Sequence, residues 1–105
     1  MPDFQRVAYV EDFEQGKVYD FVVDGKHVAV VRNGERFYAM RNSCTHSGFF
    51  FTPVNIEGDT LPCLAHGAVF RLEDGEAIEG PADDPLEMYD VQVQGKDVLV
   101  SPRAV

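Results

Sequence analysis

The chain has no tryptophan, two cysteines and three histidines among 105 residues, and lysine and arginine together number nine against eighteen aspartates and glutamates. Each scarcity excludes something. The longest uninterrupted apolar runs, Val28 to Val31 and Phe49 to Phe51, fall far short of the roughly 20 residues a membrane-spanning helix needs, which leaves a soluble chain with no anchor of its own. The N-terminal stretch Met1-Pro2-Asp3-Phe4 lacks a basic segment and an apolar core, so no export signal is expected and the setting is read as cytoplasmic. A formal net charge of −9 repels phosphate backbones and argues against nucleic acid as a partner. No segment shows sustained helical periodicity, no internal repeat stands out, and the length suits one domain, 1–105.

What is present is concentrated. Both cysteines and two of the three histidines fall in Cys44-Thr45-His46 and Cys63-Leu64-Ala65-His66. A Cys44–Cys63 disulfide or two buried thiols would account for the cysteines, but neither explains a histidine placed two and three residues after them. Two thiolates and two imidazoles make four ligands. They suit a tetrahedral zinc or a two-iron cluster. Zinc fingers usually group Cys with Cys and His with His, whereas each pair here is mixed. A two-iron cluster with nitrogen and sulfur on separate irons takes one Cys and one His from each of two loops.

The pattern C-x-H, a gap of about sixteen residues, then C-x-x-H resembles the Rieske [2Fe-2S] proteins. Gly48 and Gly67 look like that family's tight loops, and Phe70, Asp74-Gly75, Gly80-Pro81 and Pro85-Leu86 resemble the hairpin and proline loop that cover the cluster. The resemblance implies an all-β fold, an antiparallel β sandwich or barrel with a small cluster-binding subdomain at one tip, about 41–70. It implies one [2Fe-2S] cluster held by Cys44, His46, Cys63 and His66. Respiratory members carry a second cysteine pair where this chain has Phe49 and Ala65, and hydroxyl donors where it has Ala68 and Phe70. With fewer hydrogen bonds to sulfur, the potential is expected toward the low end of the Rieske range, as in ferredoxin-type members that serve oxygenases.

With four protein ligands no metal position is left for a substrate, so the expected role is a one-electron carrier, monomeric and not an enzyme by itself. The resemblance implies a flavin-dependent NAD(P)H reductase as donor and a terminal oxygenase of the ring-hydroxylating dioxygenase type as acceptor. The small subunit of an assimilatory nitrite reductase, or a structural zinc module, are the alternatives. Between Glu73 and Asp90 there are eight carboxylates and no lysine or arginine, a face suited to a basic partner surface. His27, inside a strand and remote from both pairs, is left out of the site. Of Phe49, Phe50 and Phe51, two are expected to pack and one to remain exposed as a docking contact.

Alternating residues and turn signals outline the strands. Phe4 to Tyr9 reads as a strand with Val7 and Tyr9 on one face. Tyr19, Phe21 and Val23 lead into a hairpin turn at Asp24-Gly25, and His27 to Arg32 return to a second turn at Asn33-Gly34. Phe37 to Met40 then delivers Arg41 to the first ligand pair. Ala68 to Glu73 and Glu76 to Ile78 form a hairpin, and Tyr89, Val91 and Val93 lead through a turn at Gln94-Gly95 to Val98–Val100.

Overall fold

The computed structural model describes residues 4–43, 51, 55–63, 68–79 and 84–104, the last three of these by backbone alone. Among the described residues nine strands form two antiparallel sheets, and the one helical element is a single 3-10 turn, Val10–Asp12. The larger sheet has the order β1-β9-β8-β4-β3-β2, with β1 Gln5–Tyr9, β2 Val18–Val23, β3 Lys26–Asn33, β4 Arg36–Arg41, β8 Met88–Gln94 and β9 Asp97–Ala104. Its two edge strands, β1 and β2, come back beside one another, so the sheet curls almost into a barrel. The smaller sheet is β5 Thr60–Pro62, β6 Val69–Arg71 and β7 Ala77–Glu79. The all-β architecture is therefore as expected.

Turn chemistry sets the register of the large sheet. Asp24 (φ 51°) and Gly25 (φ 77°) both lie in the left-handed region, the conformation of a type I′ turn, whose twist matches the strands it joins. Val23 pairs with Lys26 across it. The second hairpin turns one residue later than Asn33-Gly34. Asn33 is still paired, to Arg36, and the loop is Gly34-Glu35 with the glycine at the positive-φ position. Asn33 is kept in the strand by its side chain, which donates to the Asp59 carboxylate (3.0 Å) and the Gly58 carbonyl (3.3 Å) and so ties β3 to the approach to β5. The last hairpin shifts likewise: Gln94 pairs with Asp97, and the turn is Gly95-Lys96.

β1 and β9 each carry extra residues relative to the strand they pair with. The register slips between Arg6 and Ala8, so Val7 is half-buried whereas Tyr9 is exposed and lies under the Arg6 guanidinium at 4.0 Å. A second irregularity lies opposite β8: Tyr89 and Val91 are two residues apart, whereas their partners Ala104 and Val100 are four apart, so the extra residues are on β9. Along β8, Tyr89 is buried, Val91 half-buried and Val93 exposed.

The apolar interior falls into two clusters, one on each face of the large sheet. Val28 and Val30 point into the barrel with Phe13, Val23, Ala39, Val98 and Val100. Ala29 and Val31 point the other way, joining Val18 and Met40 against Leu61, Phe70 and Leu72 of the small sheet region. The run Val28 to Val31 is apolar without interruption because β3 is covered on both sides.

Candidate metal centre

The first candidate pair, Cys44 and His46, follows β4 in sequence. Arg41 pairs with Val28, and its N–H donates to the Glu87 carbonyl at 2.8 Å. One residue on, the Asn42 N–H donates to the His27 carbonyl at 3.0 Å. The backbone is thus held by neighbours on both sides until two residues before Cys44. Asn42 is fully buried; its side-chain carbonyl accepts from the Phe51 N–H (2.7 Å) and its amide donates to the Asp20 carboxylate (2.8 Å).

The second candidate pair, Cys63 and His66, lies in sequence between β5 and β6. Pro62 pairs with Val69, and the Cys63 N–H donates to the Ala68 carbonyl at 2.7 Å, so the ladder continues one step and closes around 64–67. Cys63 therefore stands at the mouth of the loop that contains His66. Its side chain is 5% exposed and belongs to the cluster that includes Phe51, Leu61, Ala68, Phe70 and Leu72. Phe51, which follows the first pair, meets Phe70, which follows the second, edge to face with ring centroids 5.8 Å apart. The segments that lead away from the two pairs are thereby packed on each other.

Of the four predicted ligands, Cys63 is described; Cys44, His46 and His66 lie outside the described residues, as do Phe49, Phe50, Ala65 and both loop glycines, Gly48 and Gly67. Phe51 is buried at 1% exposure, a core residue. Ala68 and Phe70, the positions without hydroxyl groups, are both fully buried. His27 lies on β3, where its Nδ1 is 3.0 Å from the second oxygen of Asp20.

The acidic stretch is less uniform than its composition. Asp74 is gripped by Arg71, which lies just outside it, with Nε to Oδ1 at 2.9 Å. That bond, helped by the Glu76 N–H, holds the Asp74 carboxyl below the usual carboxylate range. Tyr89 donates its hydroxyl to Glu87 at 2.7 Å; burial first, then that carboxylate, pushes the phenol up to about 12. Glu73, Glu76 and Asp90 are exposed.

Asn42, Asp20 and Phe51 form a hydrogen-bonded group beside the first candidate pair that motif spacing does not mark. Asn42 is 22 residues from Asp20 and nine from Phe51, and nothing local to any of them signals the connection. No buried side-chain nitrogen or oxygen among the described residues lacks a hydrogen-bond partner.

Residues 3–90 match the Rieske [2Fe-2S] domain. The chain is 36% identical over 74 residues to the 3-phenylpropionate/cinnamic acid dioxygenase ferredoxin subunit of Escherichia coli strain K12, an alignment covering 70% of each chain. It is 26% identical over 98 residues to the biphenyl dioxygenase ferredoxin subunit of Pseudomonas sp. strain KKS102, covering 92% of this chain and 90% of that one. Among solved structures, the ferredoxin of carbazole 1,9a-dioxygenase from Nocardioides aromaticivorans IC177 superposes with a TM-score of 0.90 at 31% identity, covering 95% of this chain and 98% of the other. The residues present fit a cluster of that kind: one thiolate and one imidazole come from each of two segments, and the Cys63 end is shielded by apolar packing. The chain belongs to the Rieske [2Fe-2S] domain family, and its cofactor is one [2Fe-2S] cluster.

Proposed function

We propose that this protein is the one-electron carrier of a ring-hydroxylating dioxygenase system, accepting an electron from a flavin-dependent NAD(P)H reductase and delivering it to a terminal oxygenase. Relatives named as dioxygenase ferredoxin subunits, aligned over 70% and 92% of the chain, support that assignment over a nitrite reductase small subunit, and the family match supports a cluster over a structural zinc. Among solved relatives, one matching at TM-score 0.91 and 27% identity comes from a complex of reduced oxygenase and oxidized ferredoxin in carbazole 1,9a-dioxygenase. By analogy this chain forms a complex with a terminal oxygenase. We place it in the cytoplasm as a monomer and treat 1–105 as one Rieske domain whose cluster-binding part is about 41–70.

The observation that supports the ligand assignment best is Cys63 itself, buried and fixed at the hairpin mouth by its N–H bond to Ala68, with His66 inside the loop so closed. Cys44 and Cys63 are assigned to one iron, His46 and His66 to the other. When bound, the cluster supplies a reversible one-electron couple. The protein's part is to exclude water from the thiolate side through Phe51, Leu61 and Phe70, and to balance charge: two neutral imidazoles in place of two thiolates make the site less negative and easier to reduce. Ala68 and Phe70 offer no hydroxyl to a sulfur, which keeps the potential toward the lower end of the Rieske span of about −150 to +300 mV. The exposed carboxylates of 73–90 suit a basic partner face.

Purified protein tests this reading directly. Expected are two irons and two acid-labile sulfides per chain, an electron paramagnetic resonance spectrum of mixed nitrogen and sulfur ligation on reduction, and electron transfer to an oxygenase that slows as salt is raised. One zinc without iron, or a spectrum of all-sulfur ligation, would overturn it.

A further inference from the structure

We infer that Asn42 is the positioning residue of the first ligand segment, its side chain set by Asp20 so that one hydrogen bond to Phe51 fastens together the two ends of 43–50. The inference rests on the assignment of Cys44 and His46 as ligands.

The chemistry of the three groups leaves one arrangement. An ionised carboxylate only accepts and a backbone N–H only donates. Asp20 therefore takes the amide nitrogen of Asn42 (2.8 Å) and Phe51 takes its oxygen (2.7 Å), which fixes the orientation of a side chain whose two ends are otherwise nearly interchangeable. Asp20 is held in turn from β3: its second oxygen meets His27 Nδ1 at 3.0 Å, while the His27 carbonyl accepts the Asn42 N–H. Asn42 is thus tied by backbone and side chain to β2 and β3 of the large sheet. The Phe51 ring, at the other end of the fastening, packs on Phe70 beyond the second ligand pair. One buried amide so links the rigid sheet, the first segment and the strand that follows the second. Asn42 is fully buried, so weakening either bond perturbs a polar group held away from water, where partners are costly to lose.

The test uses the purified holoprotein with Asn42→Asp, Asp20→Asn and the two combined. Asn42→Asp keeps an acceptor for Phe51 but sets two carboxylates against each other. The double variant restores a donor and acceptor pair with its direction reversed. Expected for Asn42→Asp are loss of cluster to a chelator faster on the order of tenfold, an altered paramagnetic resonance spectrum and a shifted midpoint potential. The double variant should return the loss rate to within about twofold of the parent. A purely structural role would lower thermal stability and leave spectrum and potential where they were, and that result, or a double variant no better than Asn42→Asp, overturns the inference.

If Asn42→Asp does not fold, Asp20→Ala replaces it, because Asp20 is partly exposed and its loss frees Asn42 without burying a charge. Faster hydrogen exchange at the Phe51 amide, in metal-free as well as loaded protein, supports the fastening; unchanged exchange overturns it. Cys44→Ala separates the two levels. If that variant keeps its cluster, the ligand assignment has failed, whereas Phe51 exchange still reports on Asn42 independently.

Discussion

In the large sheet the strands reach eight residues, and each of the three hairpins, at Asp24-Gly25, Gly34-Glu35 and Gly95-Lys96, turns in two residues with a left-handed glycine. In the small sheet the described strands are three residues long, and the Cys63 N–H bond to Ala68 joins β5 to β6 on either side of 64–67, which contains the proposed ligand His66. The first region specifies itself through short-range turn chemistry and cross-strand pairing. The second has little ladder of its own and depends on what is packed beneath it: Val18, Ala29, Val31 and Met40 from the back of the large sheet, with Phe51 and Phe70 above. Three-residue strands are marginal in isolation, so the cluster and this packing together must supply what the hydrogen-bond ladder does not.

Removing the cluster should separate the regions most sharply. In metal-free protein, amide protection at Leu61, Cys63 and Arg71 is expected to fall on the order of a hundredfold, the change expected when a ligand at about 100 times its Kd is withdrawn, while Val28 to Val31 keep theirs. Equal loss in both sheets would mean that they unfold as one unit. A pair of buried phenylalanines gives the next test. Phe70→Ala and Phe13→Ala each remove a buried ring, fully buried for Phe70 and 4% exposed for Phe13, and each should cost about 3–5 kcal/mol in denaturant unfolding. Only Phe70→Ala should also weaken cluster retention, because Phe13 packs among Tyr19 and Phe37 inside the barrel.

The smallest effect is a pH dependence at the seam between β8 and β4. Tyr89 pairs with Ala39, and its folded value of about 12 exceeds the ordinary 10.0. Because the folded state holds the proton more tightly, the associated stability is complete below pH 10 and drains away as pH climbs toward about 12. Tyr89→Phe should flatten the fall of melting temperature across that interval; an unchanged slope would remove Tyr89 as its source.

Much of the architecture was legible from residue order. The double-left-handed Asp24-Gly25 turn, the alternation through Tyr19, Phe21 and Val23, and the mixed Cys and His pairs all follow from short-range patterns. Two turns were misplaced by one residue because Asn-Gly and Gln-Gly read as loop centres, while Asn33 and Gln94 remain paired to Arg36 and Asp97. Val7 and Tyr9 were read on one face, yet Tyr9 is exposed past a bulge that leaves no local signature in the apolar pattern, and Val93 is exposed although its pairing with Val98 is regular. Asn42 escaped for a different reason: its meaning depends on partners nine and 22 residues away that only the folded sheet brings together.

β3 acts as a party wall. Val28 and Val30 furnish one compartment, Ala29 and Val31 the other, and a shift of a single residue in its pairing would send each set of tenants next door. A one-residue insertion or deletion within Lys26–Asn33 would therefore disturb the barrel and the metal end in the same stroke. Tolerance of added or lost residues belongs instead to the exposed turns at either end of the strand.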